Sequence, residues 1–159
     1  MQGGFTMQYS KDVIIKRLKE SQVAVIATND NKGGQIRLRI MYYGISEKFE
    51  CYLMTLKDSP KLSHLSDAGK VSVLVHSLET PFDLSWECEL NGYVSVIDSE
   101  QEQGRALQAL KGRNPFADVA LEAGLTAEHF VFLKLSPTLL RFRVYSEALN
   151  DEAPTVLEF

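Results

Sequence analysis

The chain has 159 residues, 45% hydrophobic and 24% charged, which suits one globular domain with a substantial core. Its 17 lysines and arginines against 21 aspartates and glutamates give a formal charge of −4, so nothing attracts the whole chain to nucleic acid or anionic lipid. The N-terminal MQGGFTMQYS lacks a cationic region followed by an apolar run, and no apolar stretch is long enough to cross a bilayer. We therefore expect neither a secretion signal nor a membrane span.

The two cysteines, Cys51 and Cys88, form neither a disulfide framework nor a metal-binding cluster. Each occupies an apolar position of a predicted strand, which favours a buried, reduced thiol and therefore a cytoplasmic protein. The histidines His64, His76 and His129 are isolated from one another and from other ligands in the sequence, so no metal site is predicted.

The first elements are predicted from periodicity and turn residues. Residues 1–9 form a flexible lead-in, and a helix then runs from Ser10 or Asp12, its two possible caps, to about residue 21. Its apolar side carries Val13, Ile14, Arg17 and Leu18. Two strands follow, at Gln22–Asn29 and Gln35–Gly44, joined by the turn-forming segment Asp30-Asn31-Lys32-Gly33-Gly34.

Two arginines share one face of the second strand. Its apolar residues Ile36, Leu38 and Ile40 point one way, and Arg37 and Arg39 point the other. Arginines on a strand face are commonly solvated, but a planar guanidinium with five donors is also well suited to an anion. Spacing alone does not decide between these two roles, nor between the two arginines.

A strand–turn–helix junction follows at residues 52–65. The third strand, Phe49–Leu56, ends in a polar turn, after which Ser59 is a good helix cap and Pro60 fits the first helical position. Lys61 adds an ammonium beside the free N–H groups of the first turn, as a phosphate site requires. The alternative is an ordinary junction with a solvated lysine.

The second half of the chain is also rich in strands. A strand at Lys70–His76 and a long alternating run from Leu84 to Ile97 are predicted, the latter with a bulge or a bend at Gly92. Ser99 and Glu102 form a capping box for a helix that ends near residue 112, and a shorter helix ends at residue 124. Segments 130–135 and 139–145 are predicted to form a closing hairpin around Ser136-Pro137-Thr138. Residues 10–149 would form a single domain, followed by an acidic, loosely held tail at 150–159.

The order of these segments resembles the FMN-binding split-barrel family, the relatives of pyridoxamine 5'-phosphate oxidase. The resemblance is carried by five segments: VAVIAT (Val23–Thr28), RLR (Arg37–Arg39), YLMT (Tyr52–Thr55), SPKLSHL (Ser59–Leu65) and KVSVLV (Lys70–Val75). It implies a mainly β split barrel with flanking helices, and a homodimer that binds FMN between its subunits.

The resemblance also implies roles for particular residues. Lys61, Ser59 and one of Arg37 and Arg39 would hold the flavin phosphate, and Met54 and Thr55 would lie along the ring. Trp86 and Glu87 occupy the positions at which pyridoxamine oxidases reach the flavin of the partner subunit, although the arginine–glutamine pair of those enzymes is absent here.

The implied function is flavin-dependent oxidoreduction of a small molecule, since a bound flavin carries hydride and electron chemistry itself. The chain does not resemble pyridoxamine 5'-phosphate oxidase itself, because it lacks the C-terminal segment with arginine and histidine that binds the substrate there. Two alternatives remain: a flavin-binding or stress-related protein without turnover, and a split barrel that uses deazaflavin F420 or heme.

Overall fold

The structure, a computed structural model, describes residues 9–30, 33–67, 69–124 and 127–159. The strands are β1 (Val23–Asp30), β2 (Gln35–Tyr42), β3 (Gly44–Ile45), β4 (Cys51–Leu56), β5 (Lys70–Ser77), β6 (Trp86–Val96), β7 (Phe130–Val144) and β8 (Thr155–Glu158). The helices are α1 (Lys11–Glu20), α2 (Pro60–Asp67), α3 (Glu100–Leu110), α4 (Pro115–Glu122) and α5 (Tyr145–Leu149). No helix among the described residues is long and apolar enough to cross a membrane.

The strands form one antiparallel sheet in the order β2-β1-β5-β6-β7-β4-β3, and β8 also pairs with β7. The sheet curls into a split barrel with flanking helices, which confirms the predicted fold class. Side chains of β4 alternate between two apolar clusters: Cys51 and Leu53 join the main core, whereas Tyr52 and Met54 pack under α3. Strand β4 is therefore buried on both faces.

Several predicted helix boundaries are confirmed. The Ser10 hydroxyl accepts a hydrogen bond from the backbone N–H of Val13 at the start of α1, and the Ser99 hydroxyl accepts one from Glu102 at the start of α3. The buried side of α1 differs from the prediction, because Ile15 is buried and Val13 is 42% exposed. Val13 lies about 200° around the helix from Ile15, so it faces away from the buried side, and Arg17 is exposed as well.

The predicted closing hairpin is wrong, because β7 runs without a turn through residues 130–144. Residues 133–144 of β7 pair with the whole of β6, with a register shift at Gly92, where the sequence predicted a bulge or a bend. A Cβ atom on Gly92 would lie 2.1 Å from the carbonyl oxygen of Ser136, so only glycine allows the two strands to approach here. Pro137 occupies this bulge, where a proline is tolerated within a sheet.

The C-terminal segment is bound more firmly than predicted. Residues 155–158 pair with β7 as β8, and Leu157 is only 7% exposed, so the prediction of a loosely held tail over 150–159 is wrong for this part. The lead-in of residues 1–9 lies outside the described residues except for Tyr9. The backbone N–H of Tyr9 donates to the hydroxyl of Thr155 at 3.2 Å.

Candidate functional site

The predicted junction between β4 and α2 is present. Strand β4 ends at Leu56, and α2 begins at Pro60. The Ser59 hydroxyl accepts from the backbone N–H of Lys61 at 3.3 Å, as the capping prediction requires. The helix ends before Gly69, whose φ of +66° lies in the left-handed region expected after a helix.

A cavity of about 300 Å³ lies beside this junction. Four of its lining residues are predicted site residues: Met54, Thr55, Ser59 and Lys61. The other six residues were not predicted as site residues: Ile40, Met41, Tyr42, Leu56, Asn114 and Phe116. The cavity therefore combines the start of a helix, a hydroxyl and an ammonium with an apolar wall, as a site for an anionic ligand with a flat apolar body would.

The turn between α3 and α4 brings Asn114 and Phe116 to the cavity. Arg113 holds this turn, since its guanidinium donates to the backbone carbonyls of Lys19 (2.6 Å) and Tyr43 (3.3 Å). The sequence indicated only a turn at Arg113-Asn114-Pro115. Nothing in it showed that an arginine there would reach the end of α1, far away along the chain.

Arg39 lies near the same junction, on the face of β2 that looks towards the core. Its guanidinium donates to the Thr28 hydroxyl at 3.2 Å and contacts Nδ1 of His64 on α2. The sequence did not predict this contact between Arg39 and His64. Arg37 is exposed, and neither arginine is among the side chains that line the cavity within one chain. Their phosphate-binding roles remain predictions.

Trp86 and Glu87 lie elsewhere in the single chain. Trp86 is 1% exposed and packs in the core, with its ring 5.8 Å from that of Phe142. Glu87 points to the other side of β6, where its neighbours across the strands are His76 and Arg143. Neither residue lines the cavity of its own chain, so their predicted flavin contacts remain untested.

The cavity opens onto an apolar surface. Ile36, Leu38 and Ile40 of β2 are 72%, 69% and 71% exposed, and Phe116 of α4 is 55% exposed. Ile40 and Phe116 also line the cavity, so its rim belongs to this surface. We call these four residues the β2 patch. Clustered exposed apolar side chains of this kind mark interaction surfaces.

The family model described as pyridoxamine 5'-phosphate oxidase matches residues 11–143. The chain belongs to the pyridoxamine 5'-phosphate oxidase family. The predicted resemblance is thereby confirmed at the level of the family. None of the curated proteins matches this chain.

Solved structures share the fold of this pyridoxamine 5'-phosphate oxidase family member at low sequence identity. A candidate pyridoxamine 5'-phosphate oxidase from Listeria innocua is 22% identical, with a TM-score of 0.62, over 86% of this chain and 98% of that one. An FAD binding protein from Mycobacterium smegmatis is 12% identical, with a TM-score of 0.66, over 85% and 94%. A heme binding protein from the same organism is 16% identical, with a TM-score of 0.65, over 86% of this chain but 55% of that one.

Elsewhere in this family member, a groove of about 790 Å³ runs between α3 and the turn that joins β3 to β4. Two of its polar lining residues, Tyr52 and Glu50, interact with Glu102 and Lys134. The Tyr52 hydroxyl donates to Glu102 at 2.9 Å, and the Lys134 ammonium lies 3.2 Å from Glu102 and 3.6 Å from Glu50. Burial raises the pKa of Tyr52, and the hydrogen bond from Tyr52 lowers the pKa of Glu102. This network of Tyr52, Glu50, Glu102 and Lys134 stabilises the fold.

Both cysteines are buried, as predicted. Cys51 and Cys88 are 0% exposed and free of disulfide bonds. Burial raises the pKa of the Cys51 thiol to about 12 and also raises that of Cys88. Both side chains are therefore uncharged thiols at neutral pH, and neither is an activated nucleophile.

No three histidine, cysteine or carboxylate residues in the described ranges come together as a metal site.

Proposed function

We propose that this protein binds FMN in the cavity beside the β4–α2 junction and acts as a flavin-dependent oxidoreductase on a small molecule. The observation that carries this proposal is the cavity lining, in which Ser59 and Lys61 at the start of α2 adjoin Met54 and Thr55 at the end of β4. The flavin supplies the hydride and electron chemistry when bound, so the protein needs no acid, base or nucleophile of its own for that step.

The phosphate would bind at the start of α2. Backbone N–H groups there have no partner within the helix, and the helix dipole favours an anion. The Lys61 ammonium adds a positive charge on the same turn, and Arg39, held by Thr28 and His64, lies near enough to α2 to add a second. The apolar wall formed by Met41, Tyr42 and Leu56 suits the faces of a ring system.

A second copy of the chain would complete the site. The cavity of about 300 Å³ lies at the lower end of the range for small-molecule sites, so one chain supplies only part of a pocket for FMN. The β2 patch forms its rim, and an apolar surface of this kind is stabilised by a partner. We therefore propose a homodimer with the flavin at the interface, where Trp86 and Glu87 would have to be tested as contacts from the second subunit.

The experiment is a titration with FMN followed by flavin fluorescence. Lys61→Ala should weaken FMN binding by about 1.5–3 kcal/mol, the range for a hydrogen bond to a charged group, which is a loss of about 10- to 150-fold. Lys16→Ala, which removes an exposed lysine from α1, is the matched control and should bind as the wild type does. Riboflavin, which lacks the phosphate, should bind the wild type more weakly than FMN. Equal affinities of Lys61→Ala and wild type would remove Lys61 from the site.

Turnover and the choice of cofactor need two further measurements. Rapid bleaching of the bound flavin by a reduced nicotinamide would support an oxidoreductase, whereas a flavin that stays oxidised would favour a binding protein. Absorption spectra with FMN, FAD, F420 and heme would rank the cofactors, since similar folds include an FAD binding and a heme binding protein. A cytoplasmic location is part of the proposal and is supported by the two free, buried cysteines.

A further inference from the structure

A second cleft, of about 240 Å³, lies between α3 and the outer face of β4 and β7. Its floor is formed by Met54, Phe130 and Phe132, each at most 8% exposed. Leu107 of α3, which is 44% exposed, forms part of the opposite wall. Two aromatic rings and a flexible thioether make a surface that fits a flat apolar molecule.

Gly104 lines this cleft and also the larger groove beside α3. It lies in the interior of α3, where glycine is less stable than alanine because of its backbone freedom. Neither packing nor backbone geometry among the described residues requires it, since a Cβ atom there would meet no atom within 4 Å and its φ is not in the left-handed region. A side chain introduced at this position would extend into open space, so it provides a test of whether a molecule binds there.

The rim of the cleft offers acceptors. Glu100 carries an exposed carboxylate in the first turn of α3. The Nε2 amide of Gln103 donates to the carbonyl of Ile97 at 3.2 Å, which orients the side chain and leaves its amide oxygen as an acceptor. Glu100 and the Gln103 amide oxygen are both acceptors, so they suit a ligand that brings an ammonium or N–H donors.

We propose that this cleft binds a small molecule that has a flat apolar body and an amine, with the body against Phe130 and Phe132 and the amine at Glu100. Met54 lines both this cleft and the candidate flavin cavity, so the two sites are neighbours. The proposal goes beyond flavin binding and does not depend on it, because none of the contacts that carry it involves a flavin.

The test is calorimetric titration of the full chain without added flavin, with 2-phenylethylamine as the probe. The amine should bind at one site with an affinity in the millimolar range, which is typical of so small a ligand. 3-Phenylpropionate, which has a similar body with the opposite charge, should show no saturable binding. Equal binding of the two, or no saturable binding of the amine, would overturn the proposal.

Three variants assign the binding to the cleft. Gly104→Leu should abolish amine binding by occupying the space beside α3, and Glu100→Gln should weaken it by up to about fivefold, as for an exposed ion pair. Gln108→Leu changes an exposed position on the side of α3 that faces the larger groove and should bind as the wild type does. Unchanged affinity in Gly104→Leu would place the probe elsewhere and refute the assignment.

Folding is checked for the same variants by circular dichroism. If Gly104→Leu fails to fold, Gly104→Ala replaces it, because one methyl group meets no protein atom and favours the helix. Gly104→Ala should raise the unfolding temperature while it lowers the affinity for the amine. A variant that is more stable and binds the amine as the wild type does would show that Gly104 has no part in ligand binding.

Discussion

The prediction with the clearest structural basis concerns Leu38, the central residue of the β2 patch. Burial of a whole leucine side chain contributes about 1.5–3 kcal/mol. Leu38 is 69% exposed in the single chain, so burial of this exposed part against a second copy would contribute about 1–2 kcal/mol from each chain. A symmetric dimer loses that contribution twice, and Leu38→Glu should therefore destabilise it by about 2–4 kcal/mol.

In terms of binding, this loss raises the dissociation constant of the dimer by about 30- to 700-fold, since each 1.4 kcal/mol is a factor of ten. Burial of the new carboxylate would raise it further. Sedimentation velocity at low micromolar concentration should give about twice the chain mass for the wild type and the chain mass for Leu38→Glu, with unchanged far-ultraviolet circular dichroism. FMN should shift the wild type, but not the variant, further towards dimer.

The matched control is Leu78→Glu, which makes the same change at a leucine that is 72% exposed after β5 and lies outside the β2 patch. It should sediment as the wild type does. A wild type that is monomeric and still binds one FMN tightly would refute the shared site. A Leu38→Glu protein that remains a stable dimer would show that the interface lies on another surface.

Three further predictions concern stability and reactivity. Gly92→Ala should lower the free energy of unfolding by about 3 kcal/mol or more, because its methyl group would lie 2.1 Å from a carbonyl oxygen of β7. Cys51 and Cys88 should react slowly with a thiol reagent at neutral pH until denaturant is added, because burial raises both pKa values. Tyr52→Phe should lower the free energy of unfolding by about 1.5–3 kcal/mol at neutral pH. Because the pKa of Glu102 is lowered in the folded state, this contribution is present above the ordinary glutamate value and is lost as the pH falls through the lowered one.

The two substitutions each have a matched control. Gly33→Ala adds a methyl group in open space and should leave stability nearly unchanged. Tyr93→Phe alters a tyrosine that is 53% exposed and should have the same stability as the wild type from neutral to acid pH. Fast labelling of either cysteine in the folded protein, or a difference between Tyr52→Phe and wild type that persists in strong acid, would contradict the reasoning.

The caps and turns of the fold were predictable because their causes are local. Ser10, Ser59 and Ser99 each accept from an N–H two or three residues further along, and such contacts depend on neighbouring residues alone. The course of β7 was not predictable in the same way. Ser136-Pro137-Thr138 has the composition of a turn, but Gly92 on the facing strand allows the chain to continue as a bulge, and that partner lies far away in the sequence.

In the candidate site, too, residues close together in the sequence were predictable, and those brought together from distant elements were not. Met54, Thr55, Ser59 and Lys61 follow one another in the chain, so the resemblance located them together. Asn114 and Phe116 of the cavity, and the contact of Arg39 with His64, depend on how distant elements pack, which single-sequence patterns do not contain. The exposure of Ile36, Leu38 and Ile40 was not predictable for a related reason. Alternation of apolar and polar residues along a strand shows that its two faces differ, but not which face another element covers.

The place of β4 in the sheet affects how the chain assembles during synthesis. Apart from the two-residue β3, its only sheet partner among the described strands is β7, at residues 130–135. At 5–20 residues per second, the ribosome needs about 4–15 s to extend the chain from Leu56 to Phe130. Throughout that interval β4 keeps an unpaired edge and two apolar faces, which is the state most prone to aggregation. Chains released before Phe130 cannot close the barrel and are the ones that we expect chaperones to retain.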